Sequence, residues 1–165
     1  MAGNRLKVVE SDERRVKLHG RFIWVLTPRK TDTARVRAMM GEWFLERARQ
    51  RFERSLAECG RRLGGCVNAP QMRLRRMPKR WGSSTKRGVV YLNPELIFAP
   101  PTCIDYVVTH ELCHLVHASH GREFFALLRK AMPDWEQRKT RLEQVAAETG
   151  VTAEACGSNN VYRTK

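Results

Sequence analysis

Residues 110–120 read His-Glu-Leu-Cys-His-Leu-Val-His-Ala-Ser-His and hold four of the chain's five histidines. The first five residues form an HExxH motif. On a helix, His110 and His114 are four residues apart, so both imidazoles project from one face and can grip one metal ion. Glu111 lies beside them, placed to take the proton of a metal-activated water. The pattern points to zinc-dependent hydrolysis. A metal-free, hydrogen-bonded histidine cluster is the plainer alternative, but four imidazoles beside a carboxylate are costly to satisfy that way.

A catalytic zinc takes three protein ligands and keeps a further position open. Two histidines compete to be the third ligand. His117 continues the helical row, but a straight helix sets it roughly 10 Å along the axis from His110, at about 1.5 Å per residue. Zinc–nitrogen bonds of about 2.0–2.1 Å do not easily bridge such a row. His120 reaches the ion if the helix stops near His117 and Ala118-Ser119-His120-Gly121 turns the chain back. Geometry favours His120 and leaves His117 as a neighbour in the pocket wall. A carboxylate such as Glu123 or Glu136 is a lesser alternative. Zinc so held lowers the pKa of water from 15.7 to about 7, and Glu111 would accept the proton and pass it to the leaving amine. Tyr91, Tyr106 and Arg80 are candidates to stabilise the oxyanion, and nothing in the sequence chooses among them. Cys113 points away from the histidine face and reads as a small buried apolar residue.

The elements that must position this stretch follow from periodicity and punctuation. Thr102 is a candidate cap for the HExxH helix, with Asp105 three residues on. Ile104, Val107, Val108, Leu112 and Leu115 supply its buried side. Gln71–Met77 and Val89–Asn93 read as strands of a hairpin around a basic, glycine-containing loop. Upstream, Val16–Leu26 reads as two strands about a turn at His19-Gly20. A long helix follows from a Thr31 or Asp32 cap to about Leu63, with Gly64-Gly65 as its stop. Downstream come a short helical turn from Pro94 to Ala99, a helix from Glu123 to Met132-Pro133, and an amphipathic helix from about Asp134 to Thr149. The expected organisation is a flexible 1–14, a domain over 15–150 and a polar tail over 151–165. Within the domain, 15–69 is a basic hairpin plus long helix, and 70–150 is the catalytic part.

Charge is uneven. Of 31 Lys/Arg and 17 Asp/Glu, residues 1–87 hold 23 and 8 (net +15), and residues 88–165 hold 8 and 9 (net −1). Residues 73–87 carry seven Lys/Arg and no acid. Arg73, Arg75, Arg76, Lys79, Lys86 and Arg87 are therefore candidate contacts for DNA or RNA phosphates; a solvated rim is the plainer reading. The five cysteines are odd in number and form no CxxC pair, which argues against a disulfide framework or a cysteine-built zinc knuckle. No apolar run reaches the roughly 18 residues of a membrane helix, and the N-terminus lacks a signal-like core. The expectation is a soluble, cytoplasmic protein.

Arg80-Trp81-Gly82-Ser83, Tyr91-Leu92-Asn93, Leu96, Ala99-Pro100, Asp105-Tyr106-Val107-Val108, HELCHL, His120, Phe124 and Met132-Pro133-Asp134 together resemble the YgjP-like metallopeptidase family, itself similar to the SprT and WLM zincins. The resemblance covers the C-terminal two-thirds. It implies a single zincin-like α+β domain with a small antiparallel sheet and an active-site helix carrying HExxH. It also implies one zinc held by His110, His114 and His120, with Glu111 as catalytic base. Ser84 stands where the family usually has cysteine, and the position of His117 varies in the family. By analogy, the SprT group's action on DNA-crosslinked proteins would give the basic half a purpose. Two alternatives stand beside the peptidase. One is a metal-dependent endoribonuclease, whose known examples generally lack a glutamate after the first histidine. The other is a non-catalytic zinc-containing nucleic-acid-binding module, which has no use for Glu111.

Overall fold

The computed structural model describes residues 4–67 and 70–149. The chain forms two compact units, Met1–Ala48 and Arg49–Lys165, each with a three-stranded sheet. The boundary between the units falls inside a helix. Residues 151–165, expected as a polar tail, lie outside the described residues.

The first unit contains β1 (Arg5–Glu10), β2 (Arg15–His19), β3 (Phe22–Thr27) and the first half of α1 (Thr33–Arg62). The expected β2–β3 hairpin forms around Gly20, whose φ of 59° suits the turn. The stretch expected to be flexible holds β1, which pairs in parallel with β3. Leu6 and Val8 match Ile23 and Val25 in register, so the strand adds to the apolar face while completing the β3 ladder. The Asp32 carboxylate accepts from the Arg35 amide at 2.9 Å and caps α1. Along α1 an apolar stripe is buried at Val36, Ala48, Phe52 and Cys59. Met39, Met40, Trp43, Phe44 and Leu56 are half-buried.

The second unit carries β4 (Gln71–Leu74), β5 (Gly82–Ser84), β6 (Val89–Leu92), a 3-10 turn (Pro94–Phe98), α2 (Pro101–Val116), α3 (Arg122–Ala131) and α4 (Trp135–Thr149). Its sheet runs β4-β6-β5. The predicted 71–93 hairpin is corrected here: β4 lies parallel to β6, and β5, read as loop, is antiparallel to β6. A tight turn explains this. Thr85 accepts from Gly88 at 3.0 Å and donates to Val89 at 2.9 Å, with Gly88 at φ 79°. This turn occupies one edge of β6, so β4 takes the other. Both sheets are thus mixed instead of antiparallel, each with one parallel and one antiparallel pair. Helix α2 packs against β5, β6, α3 and α4. No helix among the described residues is long and apolar enough to cross a membrane.

Candidate metal centre

Pro100 and Pro101 end the 3-10 turn and open α2, with proline at the first helical positions. The predicted Thr102/Asp105 capping box does not form, and Pro100 occupies the cap with no side-chain cap bond. Asp105 instead faces the second half of α1. Its Oδ1 accepts from Arg51 Nη2 at 2.8 Å and from the Ser55 hydroxyl. Arg51 also donates to the Pro101 carbonyl at 3.2 Å. A guanidinium is a stronger partner for the carboxylate than a backbone amide at the helix start. Ile104, Tyr106, Val107, Val108, Leu112 and Cys113 bury the rest of α2. Burial pushes the Cys113 thiol up to about 12, so it stays protonated and unsuited to bind metal.

The helix ends at Val116, and His117 leaves the helical path at φ −125°, ψ 109°. The turn returns the chain, and the Nε2 atoms of three histidines converge. His110 and His114 are 3.1 Å apart, His114 and His120 3.0 Å, and His120 and His110 3.0 Å. His114 Nδ1 lies 3.2 Å from the His117 carbonyl and donates to it, which leaves the lone pair on Nε2. The His117 ring turns outward to Glu123, Nδ1 to Oε2 3.7 Å.

Burial, with His114, His120 and Lys139 nearby, holds His110 well below the ordinary imidazole value. Burial likewise lowers His114, opposed by its bond to the His117 carbonyl. His120 is lowered by burial and by His114. The three rings are thus neutral at pH 7. Neutral imidazoles that aim lone pairs at one point repel unless a cation stands between them, and this donor set suits zinc. The residues present therefore fit a metal ion. Phe124 backs the cluster, with its centroid 5.0, 4.6 and 4.7 Å from His110, His114 and His120.

Glu111 is 2% exposed. The neighbouring strand meets it at Gly82, where a Cβ would stand 2.7 Å from Glu111 Cγ and 2.9 Å from Oε1. The loop before Gly82 is latched by buried Asn93, whose Nδ2 donates to the Met77 and Arg80 carbonyls at 2.9 and 3.3 Å. The Asn93 amide also donates to the Trp81 carbonyl at 2.8 Å.

Of the other candidates, Tyr106 adjoins the histidine set and Tyr91 faces away from the Gly82–Glu111 contact. Tyr106 is buried edge-on to His110, ring centroids 5.9 Å apart, and stacks on Trp135. Tyr91 pairs with Ser83 in the sheet, whereas Gly82 pairs with Leu92. Pleating therefore sets Tyr91 on the opposite face from the Gly82–Glu111 contact. Arg80 is exposed, as are Arg73, Arg75, Arg76, Lys79, Lys86 and Arg87, with Arg75 over the Tyr91 ring at 5.6 Å. Glu123 and Glu136 are exposed too. Sequence reasoning gave no role to Gly82, Asn93 or Phe124, and gave Asp105 only a place in a helix cap. A glycine in a strand and an aromatic just past the last histidine were the available signals.

The crystal structure of the metallopeptidase zymogen of Pyrococcus abyssi abylysin is similar to this chain. The TM-score is 0.53 at 20% sequence identity, over 60% of this chain and 95% of that one. At that identity the likeness concerns the fold. Among curated proteins none matches. The signature of the YgjP-like metallopeptidase domain matches residues 3–145, and a converging histidine trio beside a buried glutamate is what a metal-dependent peptidase requires. The chain belongs to the YgjP-like metallopeptidase family.

Proposed function

We propose that this chain hydrolyses peptide bonds with one zinc ion held by His110, His114 and His120 and with Glu111 as general base. The observation that carries the reading is the meeting of three Nε2 atoms within 3.1 Å of one another, one residue from a buried carboxylate. When bound, zinc supplies Lewis acidity that polarises the scissile carbonyl and lowers the pKa of water to about 7. Glu111 accepts the proton released from that water and returns it to the leaving amine. Gly82 confines Glu111 to one position, and the His117 carbonyl orients the His114 ring. Strand β5 ends the β4-β6-β5 order. Its outer edge can take an extended peptide by main-chain hydrogen bonds beside Glu111. Substrates are proteins or peptides. The basic surplus in residues 1–87 favours those associated with nucleic acid.

Glu111→Gln tests the mechanism. The variant is expected to keep the wild-type zinc content while peptide hydrolysis disappears. Undiminished hydrolysis would sink the assignment of the base.

A further inference from the structure

We infer that the outer face of the β1-β3-β2 sheet binds single-stranded nucleic acid. The register places Phe22, Trp24 and Leu26 of the central strand on one face. They are flanked by Arg5, Lys7 and Val9 on β1 and by His19, Lys17 and Arg15 on β2. The opposite face takes Ile23, Val25 and Thr27, all buried. The outer face is open: Arg5, Lys7, Arg15, Lys17, His19 and Phe22 are exposed, and Trp24 and Leu26 half-buried.

Three features select the ligand. The face carries four permanent cations and no carboxylate, because Glu10 pairs with Thr27 on the other side. The cations form two rows, each about 4.8 Å from the central strand, as a phosphate backbone running beside its bases requires. Between the rows lie two aromatic rings, Phe22 and Trp24, with centroids 6.4 Å apart. Such rings accept the faces of unstacked bases whatever the sequence, and stacking adds to backbone electrostatics. Lys7 Nζ sits 4.2 Å over the Trp24 ring, a cation–π contact that a stacking base would displace, freeing the ammonium for the phosphate beside it. A duplex, with its bases stacked inward, gains only the electrostatic part. The surface lies apart in sequence from the basic 73–87 segment, and its binding is independent of metal and of the peptidase reading.

Fluorescence anisotropy with labelled oligo-dT and oligo-rU of about 15 nucleotides, and a duplex of equal length, tests this in zinc-loaded protein. The expected result is salt-dependent binding of one or both single strands, tighter than the duplex. Phe22→Ala should weaken it by about 5- to 150-fold, the scale of one lost base stack, and Phe22→Trp should retain it. Because Phe22 is exposed, circular dichroism should show both variants folded. The double change Lys7→Gln with Lys17→Gln should reduce the salt slope by about 1.4, at roughly 0.7 per phosphate contact on a single strand. Equal or tighter duplex binding would overturn the proposal, as would Phe22→Ala binding like wild type. So would loss of binding only in Arg75→Gln with Arg76→Gln, or binding to phosphatidylserine vesicles in place of oligonucleotides.

Discussion

Gly82→Ala is the sharpest probe of how the site is built. The backbone at Gly82 is not among the positive-φ glycines, so alanine meets no conformational penalty there and the effect is one of space. The added Cβ would stand 2.7 Å from Glu111 Cγ, and an ordinary contact begins at 3.4 Å. One partner must therefore yield by about 0.7 Å. Strand β5 is held through Trp81 and Asn93, and Glu111 is rooted in the middle of α2 among fully buried neighbours. The carboxylate is the easier of the two to displace. Overpacking of this kind costs about 1–3 kcal/mol, a Tm drop of about 2–4 °C per kcal/mol for a chain of this length. A catalytic group displaced by about 1 Å loses on the order of 10²-fold in rate, so kcat should fall about 10- to 100-fold with zinc content unchanged. Steady-state cleavage of a fluorogenic peptide, with metal analysis of the same preparation, reads both quantities. Wild-type kcat in Gly82→Ala would refute the claim that this contact sets the base, and zinc loss parallel to the rate loss would place the damage in the histidines instead.

Two further perturbations separate neighbouring roles. His120→Ala should lose zinc by metal analysis, whereas His117→Ala should keep it, because His114 is oriented by the His117 backbone carbonyl and not its ring; the reverse result would overturn the ligand set. Asp105→Ala removes the acceptor shared by Arg51 and Ser55 and should destabilise the chain by about 1.5–3 kcal/mol, the scale of hydrogen bonds to a charged group. Denaturant unfolding reads that loss, and zinc binding in the folded variant should persist.

The sequence made local features legible and left distant ones hidden. HExxH, the helix beneath it and the return at Ala118–Gly121 are set by spacing within a few residues. The meeting of His120 with His110 could thus be reasoned from helix geometry alone. The β5–β6–β4 arrangement was not legible. Three-residue β5 is too short to show periodicity, and which edge of β6 each strand takes depends on the turn at Thr85–Gly88. Asp105 shows the same limit: its spacing from Thr102 suggests a cap, yet a guanidinium fifty-four positions earlier outcompetes the helix start. Strand β1 was missed because its three charged residues, Arg5, Lys7 and Glu10, hid a short apolar alternation that pairs with β3.

The three imidazoles that meet at Nε2 come from one eleven-residue stretch, while Gly82, which confines Glu111, lies in a strand far upstream. Closing a short loop costs little chain entropy, so the chelating turn can assemble early, as soon as α2 and its return exist. Docking of the β5 edge against Glu111 must wait for longer-range contacts. In the proposed reading, capture of the ion therefore rests on local contacts and placement of the base on longer-range ones, so the two can be perturbed separately.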